Sequence, residues 1–117
     1  MDRPYEIIGD KHSCAGRRVR VIGRHPVLDR VGVPIGYECD GASLPGFLHI
    51  VFGHPTDYPQ VIAAIAHDFS YEEMIGTRKE ADVRLREDMV EVGCGRAKSA
   101  AFYYAVRLFG GSHWGVK

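Results

Sequence analysis

The 117-residue chain has the length of one ordinary domain, and its composition excludes several classes of protein. It carries 15 Lys and Arg residues against 15 Asp and Glu residues, so no net charge attracts the whole chain to nucleic acid or to an anionic membrane. A domain of this length buries roughly two-thirds of its unfolded surface, so one core can form without metal or disulfide bonds.

The cysteine pattern is that of a protein with reduced thiols. Cys14, Cys39 and Cys94 are odd in number and widely spaced, whereas small secreted domains built on disulfides usually carry an even and denser set. No apolar stretch of signal-peptide length opens the chain, and no run approaches the roughly 20 apolar residues of a membrane span. The sequence therefore predicts a soluble protein with no signal peptide and no transmembrane segment.

The N-terminal third has the pattern of short β-strands. Residues 5–8 are a candidate first strand, and arginine and valine alternate over residues 17–22 with the period of two that is typical of a half-buried strand. Two further strands are predicted at residues 27–31 and 33–37, the latter at a sheet edge because it contains Pro34.

The C-terminal half has the pattern of three helices. The first, residues 58–74, is apolar on nearly every side, as in a helix at the centre of a domain. The second begins at a capping box of Thr77 and Glu80, and Gly93 is a natural stop for it. A third helix covers residues 96–108. The sequence therefore predicts an α+β fold with a short N-terminal β-sheet region, a three-helix C-terminal half and a central antiparallel helix hairpin.

The whole chain, residues 1–117, is predicted to form a single domain. Strands and loops occupy residues 1–57, helices occupy residues 58–110, and residues 111–117 form a tail in which Trp114 is expected to fold back and pack. A short apolar piece at residues 47–52 is expected to form one helical turn or more. The side chains expected to pack are Ala81, Leu85, Met89 and Val92 on the second helix, and Ala100, Ala101, Tyr104, Val106 and Leu108 on the third.

Four polar residues of the hairpin stand among small or apolar neighbours. A titratable group in such surroundings is costly unless it is paired. His67 and Tyr71 are four residues apart and therefore share a face of the first helix, while Asp68 points about 100° away. If the helices pack antiparallel, Asp82 on the second helix can approach His67 or Tyr71.

This arrangement has two interpretations. A carboxylate bonded to one imidazole nitrogen fixes the tautomer and leaves the other nitrogen as a base, so His67 and Asp82 could activate a water. The same two residues could equally form a structural pair in the core. Asp68 could bind a metal, and the loop after Cys39 could complete its shell with Asp40 and the carbonyl of Gly41, because calcium prefers oxygen ligands. The Asp40-Gly41 dipeptide is also an ordinary turn signal.

The segment AHDFSY, followed by an Arg-x-x-Ala-Asp-x-x-x-x-x-Asp-Met run, resembles the active-site helices of bacterial and fungal secretory phospholipase A2. The resemblance implies a calcium-dependent ester hydrolase, with His67 as the general base, Asp82 as the dyad acid and Tyr71 bracing the dyad. It implies Asp68 as a calcium ligand, and Asp40 matches a loop aspartate of some bacterial members. The chain differs from those enzymes in lacking their paired cysteines and their glycine-rich calcium loop.

A second resemblance extends over nearly the whole chain. It rests on Val-Pro-x-Gly-Tyr-x-x-Asp-Gly-Ala-Ser-x-Pro, then Ala-x-x-His-Asp, Arg-Lys-x-Ala-Asp and Ala-Val-Arg-Leu-Phe-Gly. This order is similar to a family of small phage and prophage proteins that is known only as a domain of unknown function. The resemblance implies a phage-related source in the host cytoplasm or the virion, and other phage proteins as partners.

Three further hypotheses follow from the sequence. One is a non-enzymatic phage virion, tail-associated or host-modulating protein that keeps a hydrolase-like scaffold. Another is a metal phosphohydrolase of the HD type, which needs a second histidine near His67 and Asp68; the candidates are His49 and His54. A nucleic-acid binder could use the arginines of residues 17–24, but arginines on one side of a strand are usually a solvated face.

Overall fold

The computed structural model describes residues 3–9, 17–40, 44–45, 48 and 58–116. An antiparallel sheet in the order β1-β2-β3 is formed by β1 (Tyr5–Gly9), β2 (Arg17–Val21) and β3 (Glu38–Cys39). The helices are α1 (Pro26–Val31), α2 (Gln60–Glu73), α3 (Arg78–Glu91) and α4 (Arg96–Phe109), followed by a 3₁₀ turn at Gly111–His113. The predicted α+β class, with a small N-terminal sheet and a three-helix C-terminal half, is confirmed.

The two faces of the sheet have different chemistry. Val19 and Val21 on β2 are buried, while Arg20 between them points to the other face. Arg20 donates to Glu6 on β1 at 2.9 Å and to Glu38 on β3 at 3.3 Å. The arginine is therefore paired with carboxylates on both neighbouring strands.

Residues 27–31 form α1, so the strand predicted there is wrong. The His25 side chain caps the helix, since its Nδ1 accepts a hydrogen bond from the Val27 backbone N–H at 3.1 Å. Pro26 occupies the first helical position, where its fixed φ suits a helix, and Gly32 ends the helix at a φ of 78°. The His-Pro pair that interrupts the strand pattern is therefore a helix start.

Residues 33–37 form a turn, and the third strand is limited to the two residues of β3, so the strand predicted at 33–37 is also wrong. Gly36 adopts a φ of 96°, which is incompatible with an extended strand and favours glycine. The turn is nevertheless attached to β2. Gly36 N–H donates to the Val21 carbonyl, and Val21 N–H donates to the Tyr37 carbonyl, both at 2.8 Å.

The helix hairpin has the predicted ends. Thr77 Oγ accepts a hydrogen bond from the Glu80 N–H at 3.1 Å, and the Glu80 carboxylate accepts one from the Thr77 N–H at 2.9 Å. This reciprocal capping box fixes the first turn of α3. The C-terminal end is marked by Gly93, which has a φ of 102° directly after the C-cap residue Val92.

Helix α2 lies at the centre and contacts both parts of the core, as its apolar sequence predicts. One cluster joins the sheet and α1 to α2 through residues such as Val19, Leu28 and Ile65. A second cluster joins α2 to α3 and α4 through residues such as Leu85 and Phe102. None of the helices within the described ranges has the length and apolar content needed to cross a bilayer.

The packing face of α4 is only partly predicted. Val106 is fully buried, but Tyr104 and Leu108 are exposed at 59% and 75%. Phe102 and Ala105 are buried instead, because a helix repeats its inward face every three or four residues. The expectation for Tyr104 and Leu108 is therefore wrong. On α3 the predicted Ala81, Leu85 and Met89 are buried, whereas most of the predicted apolar piece at 47–52 lies outside the described residues.

Asp88 on α3 is a buried carboxyl group, only 2% exposed, that is incompletely paired. Its Oδ1 accepts a hydrogen bond from Arg30 Nη1 at 3.3 Å, and its Oδ2 has no partner in the part of the chain that the structure describes. Burial raises the pKa of Asp88 to about 7; the Arg30 charge opposes this shift, and Glu91 adds to it.

Stability is therefore expected to depend on pH through Asp88. A carboxyl group whose pKa is raised from 3.8 to about 7 favours the folded state at low pH, and this contribution is lost as pH rises through about 7. Relative to Asp88→Asn, the free energy of unfolding of the wild type should fall between pH 4 and pH 8, by up to about 1.4 kcal/mol per pH unit. Urea titrations at several pH values measure this difference. A difference independent of pH would contradict the assignment, and Glu6→Gln, which changes an exposed carboxylate on β1, is the control.

Candidate active site

Asp82 is the centre of a buried polar cluster between α2, α3 and α4. Its side chain is 0% exposed. Oδ1 accepts a hydrogen bond from the Tyr71 hydroxyl at 2.6 Å and lies 2.8 Å from His67 Nε2. Oδ2 accepts one from Arg107 Nη1 at 2.9 Å, and Arg78 Nη1 lies 3.7 Å from the same oxygen. The carboxylate is therefore bound by donors on both oxygens.

These donors keep Asp82 ionised. Burial alone would raise the pKa of its carboxyl group, but hydrogen bonds from His67, Tyr71 and Arg107 outweigh burial and hold the pKa below its ordinary value. The pKa of Tyr71 is raised, mainly by burial and also by its hydrogen bond to Asp82. Tyr71 therefore remains protonated and is a permanent donor to the carboxylate.

The contact with Asp82 defines the two nitrogens of the His67 ring. A carboxylate can only accept, so Nε2 carries a proton and donates it across the 2.8 Å contact. In the neutral imidazole, Nδ1 is then the nitrogen that can take up a proton. The ring also lies against Tyr71, with centroids 4.3 Å apart and planes inclined by 41°. Two contacts thus fix the orientation of the imidazole.

The hairpin geometry brings these residues together. His67 and Tyr71 are one helical turn apart on α2, and both meet Asp82 on the first turns of α3. The connection between the helices is short because Met74 adopts a φ of 50° and Gly76 a φ of 67°. The predicted meeting of His67, Tyr71 and Asp82 is present in the structure, while their catalytic roles stay predictions.

Two arginines for which no role is predicted from the sequence complete the cluster. Arg78 donates to the carbonyls of Val106 at 2.9 Å and Arg107 at 3.2 Å, and its Nη1 lies 3.3 Å from the Tyr71 hydroxyl. It therefore joins the start of α3 to the end of α4. Its position four residues before Asp82 was a usable signal, because i and i+4 residues share a helix face. Arg107 is 25 residues from Asp82, and no local pattern relates them.

The C-terminal tail packs against the same cluster. A Cβ on Gly110 would lie 2.9 Å from the Tyr71 hydroxyl oxygen, so this position needs glycine for close packing. The rings of Trp114 and Tyr71 are in edge-to-face contact, with their centroids 5.2 Å apart. The Gly115 N–H donates a hydrogen bond to the Tyr71 carbonyl at 2.8 Å. The prediction that Trp114 folds back is confirmed.

Of the three predicted metal ligands, Asp40 and Asp68 are described by the structure and Gly41 is not. Asp68 is almost fully buried, and its charge contributes to the raised pKa of Tyr37, for which burial is the main cause and the hydrogen bond to Glu72 a further one. Asp68 directly follows His67 on α2, and Asp40 directly follows β3. Gly41 lies outside the described residues.

These donors alone do not make a calcium shell. Residues 3–9, 17–40, 44–45, 48 and 58–116 contain no group of three or more His, Cys, Asp or Glu side chains that could hold a metal ion. Asp40 and Asp68 would supply two carboxylates, and Ca²⁺ takes six to eight oxygen ligands. The calcium site stays a prediction. The same is true of the HD-type site, because His49 and His54 also lie outside the described residues.

Comparison with known proteins identifies a family whose function is unknown. A family model described as "Protein of unknown function (DUF1353)" matches residues 19–106, a range that includes His67 and Asp82. The chain is also similar to "Uncharacterized protein y4iH" from Sinorhizobium fredii (strain NBRC 101917 / NGR234), with 33% identity over 78 residues. That match covers 67% of this chain but only 32% of the relative, so the chain spans about a third of the relative's length. No solved structure is significantly similar. Since the family model matches most of its length, the chain belongs to the DUF1353 family of proteins of unknown function.

Proposed function

We propose that this chain is an ester hydrolase in which His67 is the general base and Asp82 orients it, with phospholipid as the favoured substrate class. The observation that carries the proposal is the 2.8 Å contact between His67 Nε2 and an Asp82 carboxylate that is held ionised. The likeness of AHDFSY and of the following Asp82 segment to secretory phospholipase A2 supports the choice of substrate.

In the proposed reaction, the base takes one proton and later returns it. Nδ1 of His67 removes a proton from a water as the water oxygen attacks the ester carbonyl carbon. Asp82 stabilises the imidazolium that forms, and Tyr71 and Arg107 hold the carboxylate in position. The imidazolium then gives the proton to the leaving alkoxide as the carbon–oxygen bond breaks. The products are a carboxylic acid and an alcohol.

Calcium is part of the proposal but not of the steps assigned above. Asp68, Asp40 and the carbonyl of Gly41 would hold the ion. A bound Ca²⁺ would polarise the ester carbonyl and stabilise the developing oxyanion. Because the described donors do not complete a shell, the steps are assigned to His67 and Asp82 alone.

The calcium requirement has a direct test. Wild-type protein is expected to bind Ca²⁺ in calorimetric titration and to release fatty acid from mixed phospholipid vesicles, with release suppressed by a chelator. Asp68→Asn should weaken Ca²⁺ binding by tenfold or more, because it removes a charged oxygen ligand. Glu87→Gln, on the outer side of α3, is the control and should bind as the wild type does.

The outcomes separate the parts of the proposal. Hydrolysis that is unaffected by the chelator would reject the role of calcium and would leave the role of the His67–Asp82 dyad standing. Calcium binding without turnover would leave a metal-stabilised scaffold and would reject the hydrolase.

A second candidate function is non-enzymatic, and a specific observation favours it. The His67 side chain is 0% exposed, and Asp82 is bound by both Arg107 and Tyr71, as in a structural network that locks a hairpin. The likeness to phage and prophage proteins suggests a virion, tail-associated or host-modulating role, in the virion or the host cytoplasm. This candidate predicts no ester turnover by the wild type, and biological activity that survives His67→Gln.

A further inference from the structure

A cleft of about 580 Å³ lies between the start of β1, the connection from β2 to α1, and the start of α2. Among the described residues, its polar lining includes Arg3, Arg24 and His25, and its apolar lining includes Tyr58 and Ile62. The volume falls in the range of about 300–1,000 Å³ that is usual for small-molecule sites. No member of the Asp82 cluster lines this cleft, so its role is separate from that of the dyad.

The charged lining of this cleft differs from that of two other clefts. Two arginines line it, and none of its lining residues in the described part of the chain is a carboxylate. By contrast, a cleft of about 390 Å³ along α3 contains Lys79 and Arg84 together with Glu80 and Glu87, and its charges balance. A smaller cleft of about 270 Å³ next to Arg24 includes a balancing aspartate. Among the described lining residues the larger cleft therefore carries only basic charged groups, and one of them, Arg24, is shared with the smaller cleft and pairs with Asp29.

Two of the three polar groups are held in position by local contacts. His25 Nδ1 accepts the Val27 N–H, so the ring proton lies on Nε2 and this atom is a donor. The Arg3 guanidinium lies over the ring of Tyr58, 5.0 Å from its centroid, and 5.9 Å from that of Tyr5. Stacking uses the face of a guanidinium and leaves its N–H edge available for an anion.

Arg24 is available in a different way. Its Nε forms an ion pair with Asp29 at 3.5 Å, and its side chain is 81% exposed. Exposed pairs of this kind contribute little to stability and are screened by salt. A ligand anion can therefore compete with Asp29 for this guanidinium.

We propose that this cleft binds a phosphate group carried on a small organic molecule, either a soluble phosphate ester or a phospholipid headgroup. Guanidinium groups match phosphate oxygens through two parallel hydrogen bonds, and two of them line the cleft. The ring of Tyr58 and the side chain of Ile62 provide an apolar surface for the organic part. A bare inorganic ion would leave most of the 580 Å³ unfilled.

The soluble source is tested by titrating the protein with glycerol 3-phosphate, with glycerol as the matched probe that lacks phosphate. Amide resonances of residues lining the cleft should shift with glycerol 3-phosphate and not with glycerol. Arg3→Gln and Arg24→Gln should each weaken binding about tenfold, the effect of losing one charged hydrogen-bond donor. Arg86→Gln is the control, since Arg86 also lies over a tyrosine ring, that of Tyr103 at 5.6 Å, but outside the cleft.

The lipid source is tested by co-sedimentation with phosphatidylglycerol vesicles. Sedimentation that Arg3→Gln reduces about tenfold, and Arg86→Gln does not, would assign the phosphate to a headgroup. Glycerol 3-phosphate binding without sedimentation would assign it to a soluble ester. The proposal is overturned if neither probe binds, if the resonance shifts map elsewhere, or if Arg86→Gln weakens binding as much as the cleft variants. Because hydrolysis is not measured, these results are independent of the proposed enzyme activity.

Discussion

Replacing Asp82 by alanine is expected to lower the free energy of unfolding by about 3–5 kcal/mol, the cost of breaking a buried charge network by removing one partner. The variant would leave the Arg107 guanidinium, the Tyr71 hydroxyl and His67 Nε2 without the acceptor that they share. Urea unfolding followed by circular dichroism measures the loss. The effect should be a large fraction of the total stability of a domain of this size.

The control for this variant is Glu6→Ala, which removes a carboxylate from the exposed pair with Arg20 and should cost less than about 1 kcal/mol. If Asp82→Ala fails to fold while Glu6→Ala folds, the loss of stability exceeds the expected value and supports the central position of Asp82. A loss below about 1 kcal/mol for Asp82→Ala would contradict the central position given to this carboxylate.

Replacing His67 by glutamine is expected to reduce ester turnover by about 100-fold or more, because general-base catalysis typically contributes a factor of about 10² to 10⁴. The glutamine amide can still donate a hydrogen bond to Asp82 in place of Nε2, but it cannot take up a proton from water. The substitution therefore separates the two interpretations of the dyad. A purely structural role predicts a change in stability and no change in any activity that the wild type shows.

The hairpin could be predicted because its signals are local. The capping box of Thr77 and Glu80, the stop at Gly93 and the apolar sequence of α2 each depend on residues within a few positions of one another. The spacing of four between His67 and Tyr71 placed them on one face. The short connection then fixed which residues of the second helix they could reach.

The errors in the N-terminal half have a common physical cause. Residues 27–31 contain valine and leucine, which suit a strand, but the side-chain cap from His25 and the proline after it select a helix. At 33–37 the left-handed backbone of Gly36 produces a turn. In both places, capping or turn residues override the strand preference of their neighbours.

The arginines around Asp82 could not be predicted in the same way. Arg107 reaches Asp82 only because α4 packs against α3, and nothing in the sequence near Arg107 indicates that contact. The predicted calcium ligands pose a related difficulty, since Asp40 and Asp68 come from two segments that are distant in the sequence. Local patterns thus supplied the dyad, whereas tertiary packing determines the network that surrounds it.

The most direct test of the central claim is to measure fatty-acid release from mixed phospholipid vesicles by the wild type, His67→Gln and the control His113→Asn, which changes an exposed histidine of the tail. Melting temperatures are measured on the same samples. The account predicts release by the wild type and by His113→Asn, and a loss of about 100-fold or more in a folded His67→Gln. Equal release by the wild type and a folded His67→Gln, or no release by any of the three proteins, would contradict it.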